Sequence, residues 1–113
     1  MKLVVLAVIV AALVVPSALA ATPTLTGTVG PGFTITLKKG STKVSKLKAG
    51  KYVFKISDKS SIHNFHLKGP GIDKKTSKAA VVNVTWTLTL KKGKYTYVCD
   101  PHASIMKGSF TVS

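Results

Sequence analysis

The residues after position 20 predict an all-β fold, a sandwich or small barrel of short strands. Three observations carry that prediction. Apolar and polar residues alternate with period two in several short runs, turns rich in Gly and Pro separate the runs, and no stretch sustains a helical period.

The elements follow in chain order. Residues 21–32 read as an extended N-terminal arm or first strand, closed by Gly30-Pro31-Gly32. Phe33, Ile35 and Leu37 alternate with Thr34 and Thr36 and predict a strand. Gly40 and Gly50 each end a Lys-containing stretch. Lys51 to Ser57 is rich in Tyr, Val, Phe and Ile, residues that fit a pleated surface. Ile62 to Leu67 predicts a shorter strand, closed by Gly69-Pro70-Gly71. Asp73 to Ala80 is the one stretch compatible with a helical turn. Val82, Val84, Trp86, Leu88 and Leu90 alternate with Asn83, Thr85, Thr87 and Thr89, giving the clearest strand, with one apolar and one polar face. Lys91-Lys92-Gly93-Lys94 then joins it in hairpin fashion to a strand from Tyr95 to Cys99, and Ser109 to Val112 ends the chain.

The first twenty residues have another character. Lys2 precedes thirteen uncharged, strongly apolar residues, Leu3 to Val15. Pro16 and Ser17 break the run, and Ala18-Leu19-Ala20 sets small residues where a signal peptidase cuts. The run falls short of the ~20 residues needed to span a bilayer. Residues 1–20 are therefore expected to be a secretory signal cleaved near Ala20, with export to the periplasm, cell surface or medium. The rival reading is an uncleaved anchor. Residues 33–113 are expected to form one domain, since the 93 residues left after cleavage bury one modest core.

After Ala20 the chain contains one Cys (Cys99), one Met (Met106), one Trp and three His. A lone thiol in an exported protein has no internal disulfide partner and oxidises if exposed. Cys99 must be buried and inert, paired between chains, or held by a metal. The charge is one-sided: 17 Lys, no Arg, and three acids (Asp58, Asp73 and Asp100) give +14, or +13 once Lys2 is lost. Such a surface is either a solvated coat or an attractor for an acidic partner or an anionic cell envelope. Specific nucleic-acid binding is not expected, because base readout leans on Arg and on stacking aromatics.

The chemistry concentrates near the C-terminus. Cys99-Asp100-Pro101-His102-Ala103-Ser104-Ile105-Met106 puts a thiolate, an imidazole and a thioether within eight residues, and His63 offers a second imidazole. Two His, one Cys and a weak axial Met are the donors of a blue-copper electron-transfer site. Copper(I) prefers soft donors in low coordination, and copper(II) prefers nitrogen donors. A mixed set on a stiff sheet serves both, so little rearrangement accompanies electron transfer. Each residue alone has a blander role: Cys99 as a buried hydrophobe, Met106 as core filler and His102 as a loop residue. Their co-occurrence in a chain poor in Cys and Met argues for the metal.

On His63-Asn64, Cys99-x-Pro101-His102-x-x-x-Met106 and the following Lys107-Gly108-Ser109-Phe110-Thr111-Val112, the sequence resembles the cupredoxins, and within them the plastocyanin-like branch. The resemblance implies a Greek-key β-sandwich holding one copper ion, with His63, Cys99 and His102 as strong ligands and Met106 as the weak axial one. It also implies that the Asn64 N–H donates to the Cys99 sulfur and that the Asn64 side chain ties the His63 segment to the Cys99 loop. Pro101 has no N–H to add a second bond to that sulfur. His66, three residues from His63, would face away from it on a regular strand and is read as a surface or supporting residue. Two departures stand out. Plastocyanin-like proteins usually have one more residue between the loop His and the Met, and amicyanin-like ones have one fewer, so a blue or a greenish site is open. The tyrosine that often precedes the ligand Cys is replaced by Val98.

The implied function is one-electron transport, with copper storage or delivery in the cell envelope as the alternative. A copper enzyme is not expected, because three His cannot build the additional centres such enzymes use. The resemblance implies that the His102 ring edge reaches the surface through an apolar patch, with Pro70, Ile72, Pro101 and Ala103 as candidates for its rim. Lys residues would orient an acidic redox protein in a transient complex. The protein is expected to be a monomer.

Overall fold

The computed structural model describes residues 21–113; the expected signal segment, residues 1–20, lies outside them. Ten strands form two five-stranded sheets. In the first sheet the order is β3 (Thr42–Lys43), β2 (Ile35–Lys39), β1 (Thr24–Val29), β5 (Gly50–Asp58) and β8 (Val82–Leu90). In the second it is β4 (Lys46–Leu47), β10 (Lys107–Val112), β9 (Gly93–Val98), β6 (His66–Gly69) and β7 (Ile72–Lys75). The β1–β5 and β4–β10 pairs are parallel and the others antiparallel. This is the all-β sandwich that the alternating pattern and the cupredoxin resemblance imply.

Period-two alternation builds the core. Leu25, Leu37, Phe54 and Ile56 point inward from the first sheet, and Leu67, Tyr95, Tyr97, Phe110 and Val112 from the second. Tyr95 stacks on Phe110 with centroids 5.3 Å apart, and Phe65 stacks on Tyr97 at 5.5 Å. The second sheet makes room for these rings at two glycines. A Cβ at Gly108 would overlap the Tyr97 ring, and one at Gly69 would overlap Tyr95.

Several local expectations are corrected. Of the two readings of residues 21–32, an arm or a first strand, residues 24–29 take the second, and they lie centrally between β2 and β5 rather than at an edge. The Lys91–Lys94 connection does not close a hairpin: β8 pairs with β5, and β9 pairs with β10 and β6, so the chain crosses between sheets. Ile72–Lys75 is a strand where a helical turn was compatible with the sequence, because it ladders onto β6. β2 begins at Ile35, which leaves Phe33 outside it, and β6 begins at His66, which leaves His63 in the preceding loop. The apolar face of β8 is only half-buried at Val82, Val84 and Trp86, since β8 is an edge strand.

The topology gathers four connections at one end of the sandwich: β1–β2, β5–β6, β7–β8 and β9–β10. At the opposite end Tyr95 Oη donates to the Pro70 carbonyl at 3.1 Å and accepts from the Lys91 N–H at 3.0 Å, tying the two turns there.

Candidate metal centre

The β9–β10 loop is shaped by its own backbone. The Cys99 N–H donates to the Met106 carbonyl at 3.0 Å and prolongs the ladder to the base of the loop. The Cys99 carbonyl accepts from the His102 N–H at 3.0 Å, and the His102 carbonyl accepts from Ile105 and Met106 at 3.0 and 2.8 Å. Pro101 stands in the 3-10 turn Asp100–His102, where its fixed φ and missing N–H cost no hydrogen bond. The His63 loop is fixed from both sides of Phe65, whose N–H donates to Thr76 Oγ1 at 2.9 Å and whose carbonyl accepts from the Thr76 N–H at 3.0 Å.

These loops bring His63, Cys99 and His102 together, with one ligand atom of each within 4.8 Å of the others. The facing atoms are His63 Nδ1, His102 Nδ1 and Cys99 Sγ. The nitrogens are 3.0 Å apart, and each is 3.6 Å from the sulfur. A point about 2.0 Å from all three lies at the centre of that triangle, close to the roughly 2.0–2.3 Å that a first-row ion such as zinc keeps from imidazole nitrogen and thiolate sulfur. The donor set and its spacing fit a copper ion. Cys99 and His63 are buried, and His102 is half-exposed. Met106 is fully buried, with its backbone bonded to both Cys99 and His102.

Asn64 ties the two loops together. Its side-chain N–H donates to Asp100 Oδ2 at 2.8 Å, and its Oδ1 accepts from the Asp100 N–H at 2.8 Å. The Asn64 N–H bond to the Cys99 sulfur is not among the hydrogen bonds of the described residues. His66 stands outside the cluster, yet it is buried and not on the surface: Nδ1 lies 2.7 Å from Asp100 Oδ1 and Nε2 lies 2.5 Å from Asp73 Oδ1. The hydrogen bond to His66 holds the Asp73 carboxyl below its usual range. Burial pushes Asp100 up, but the bonds from Asn64 and His66 and the charges of His66 and Lys75 bring it below its ordinary value. Asp58, at the end of β5, is raised by burial against the pull of the Ser60 N–H and of His63.

The apolar rim differs in part from the one expected: Pro101 and Ala103 flank His102 and are exposed, but the other two candidates lie elsewhere. Pro70 packs against Gly93 and Ile72 pairs with Gly69, which puts both at the end of β9 away from Cys99. Phe33 takes the place beside the imidazoles. Gly30 and Gly32, at φ of 69° and 75°, bend the β1–β2 turn, and the Gly30 N–H donates to the Thr34 carbonyl at 2.8 Å. The turn sets the Phe33 ring 5.0 Å from His102 and 5.4 Å from His63. Ile62 and Ile105, chain neighbours of the two loops' ring-bearing segments, are also largely exposed. The Gly-Pro-Gly triplet before Phe33 was the available signal that this ring belongs to a turn.

Comparison with known proteins gives a family and a fold. A family model described as copper binding proteins, plastocyanin/azurin family, matches residues 33–113. No curated protein sequence matches the chain significantly. A mutant rusticyanin structure superposes with a TM-score of 0.60 at 22% identity, covering 80% of this chain and 76% of that one. Rusticyanin from Thiobacillus ferrooxidans gives 0.55 at 21% identity over 80% and 76%, and reduced rusticyanin gives 0.52 at 22% over 80% and 78%. At these identities the likeness is one of fold.

Proposed function

The chain belongs to the plastocyanin/azurin family of copper-binding proteins, and from that premise we propose that it is an exported one-electron carrier. The cofactor is one copper ion. His63 and His102 bind it through Nδ1 and Cys99 through Sγ, with Met106 as the weak axial ligand. The observation that carries this reading is the convergence of those three donor atoms on one point. When bound, the ion supplies a single-electron change between its two oxidation states.

The residues around it supply the rest. The loop hydrogen bonds and the Asn64–Asp100 pair hold the donors near their binding positions, so little reorganisation accompanies the change of charge. The burial of Cys99 shields a thiol that would oxidise outside the cell. His102, the half-exposed member of the three, offers the shortest approach for a partner, with Phe33 beside it. The Lys-rich surface orients an acidic redox protein in a brief complex. The signal-like segment at residues 1–20 supports export. That a rusticyanin of this fold has been solved in a reduced form agrees with redox use of the fold.

The test is the visible spectrum of the protein with one equivalent of copper(II), followed by ascorbate, beside a Cys99→Ser control. An intense band that ascorbate bleaches and the control lacks is expected. A weakly absorbing complex, or slow electron self-exchange in a coloured one, would shift the reading to copper storage or delivery.

A further inference from the structure

We propose that His66 is a positioning residue for the copper ligands: held between Asp73 and Asp100, it locks the Asp100 side chain that, through Asn64, sets the Cys99 loop against the His63 loop. The proposal rests on the reading that His63, Cys99 and His102 bind the ion.

The connectivity is continuous. Asp73 on β7 meets His66 Nε2 at 2.5 Å, and His66 Nδ1 meets Asp100 Oδ1 at 2.7 Å. The other oxygen of Asp100 accepts from the Asn64 side chain, and the Asp100 N–H donates back to Asn64, both at 2.8 Å. Asn64 follows His63 in sequence, and Asp100 follows Cys99. The network thus ends one residue away from two of the three ligands, which come from different loops. The Asn64–Asp100 pair alone fixes the distance between the loops but leaves Asp100 Oδ1 free to swing. His66 removes that freedom, and Asp73 removes the freedom of His66.

The burial of the ring separates this network from an ordinary surface ion pair. The His66 side chain is 8% exposed, against 33% for Asp100 and 68% for Asp73. Exposed ion pairs contribute little, because solvent screens them and mobile side chains pay entropy. Here the imidazole is packed in place, and each ring nitrogen already faces a carboxylate, so the ring has one available orientation. Each ring nitrogen thus has one carboxylate oxygen within hydrogen-bond reach, on opposite sides of the ring. Two of the three acids that follow residue 20 are committed to this ring in a chain otherwise dominated by Lys. Groups that orient metal ligands from outside the coordination sphere commonly change affinity or activity by about 10- to 100-fold when removed.

The experiment compares copper-loaded wild type with His66→Phe, His66→Gln, Asp73→Ala and the double variant His66→Phe/Asp73→Asn. It reads the visible and electron paramagnetic resonance spectra, the reduction potential and the self-exchange rate. His66→Phe keeps a ring but no hydrogen bonds. It is expected to perturb both spectra and to slow self-exchange by about tenfold or more. His66→Gln, which donates to one carboxylate, recovers part of the loss. Asp73→Ala, at an exposed position outside the core, gives a smaller change in the same direction and keeps the test open if His66→Phe does not fold. The double variant removes the ring together with the Asp73 charge that faces it, so no unpartnered carboxylate is left there, but the bonds stay lost. Positioning predicts that its spectra stay perturbed. Spectra and self-exchange that return to wild type in the double variant would reduce His66 to a partner for the Asp73 charge, and wild-type behaviour of His66→Phe and Asp73→Ala would overturn the proposal. Absence of the copper band in the wild type would sink the ligand assignment itself, a separate failure.

Discussion

Phe33 meets His102 edge to face, with ring centroids 5.0 Å apart and planes at 82°, and the same ring lies 5.4 Å from His63. Phe33 is 58% exposed, so the contact forms an apolar roof over two imidazoles and adds little to the core. Phe33→Ala is expected to destabilise the protein by about 1 kcal/mol, the scale of an aromatic pair. It is also expected to quicken removal of copper by a chelator. Thermal unfolding and chelator kinetics check the two effects separately. Unchanged chelator kinetics would show that Phe33 does not guard the site.

Phe33 also marks where reading the sequence falls short. The alternation Phe33, Ile35, Leu37 is correct for the last two and fails at the first, because Gly30 and Gly32 hold the turn open beyond Phe33. The sandwich itself was legible because alternation reports burial directly, as at Tyr95, Tyr97 and Phe110. The grouping of His63, Cys99 and His102 was legible because a metal imposes donor types and loop spacing on the sequence. The partners of His66 were not, since Asp73 and Asp100 approach it from 7 and 34 residues away. The rim residues Pro70 and Ile72 were misplaced for a related reason. Only the pairing of β6 with β9 shows which end of the sandwich they occupy.

Met106 is buried whether it is a ligand or core filler, and substitution separates the two roles. Met106→Leu conserves volume and costs less than about 1.5 kcal/mol as a packing change. As loss of an axial donor it removes a ligand that helps copper(II) more than copper(I), so the reduction potential rises. Met106→Gln offers an oxygen instead and lowers it. Voltammetry of the three proteins reads the order directly. Equal potentials would leave Met106 as core alone.

Gly108 lies under the Tyr97 ring on the paired strand, at a register where β9 and β10 face each other. A methyl group there must displace an aromatic ring stacked on Phe65. Gly108→Ala is therefore expected to cost about 1–3 kcal/mol, the range for overpacking a close-packed core. Denaturant unfolding measures it. A neutral result would mean that the second sheet shifts without loss.

The acid limb of stability follows from Asp73. Its folded-state carboxyl lies below its ordinary value, chiefly through the hydrogen bond to His66. A lowered carboxyl contributes stability that is present above the unfolded value, about 3.9, and is lost as pH falls through the folded one. Asp58 acts in the opposite sense, since burial raises its carboxyl and favours the folded state on protonation. The expected result is that Asp73→Asn unfolds at a lower temperature than wild type at neutral pH. The gap should begin to close as pH falls past the unfolded value, about 3.9, and vanish only below the lower folded-state value, where both side chains are neutral. A gap that persists into acid would show that Asp73 acts through packing alone.

The Lys surface makes its own prediction without knowledge of any partner. With a formal charge of +14, or +13 without Lys2, the protein attracts anions and repels cations at distances that salt controls. The screening length shrinks from about 30 Å at 0.01 M to about 3 Å at 1 M ionic strength. Oxidation of the reduced protein by an anionic complex such as ferricyanide is therefore expected to slow steeply as salt rises. Oxidation by a cationic cobalt complex is expected to quicken. Stopped-flow growth of the copper band gives both rates on one preparation of the reduced protein. Opposite slopes would establish that the charge acts at the point of electron exit, beside His102. Two flat profiles would place the Lys charge too far from that exit to steer a redox partner, and would direct the search toward the cell envelope as the surface those side chains meet.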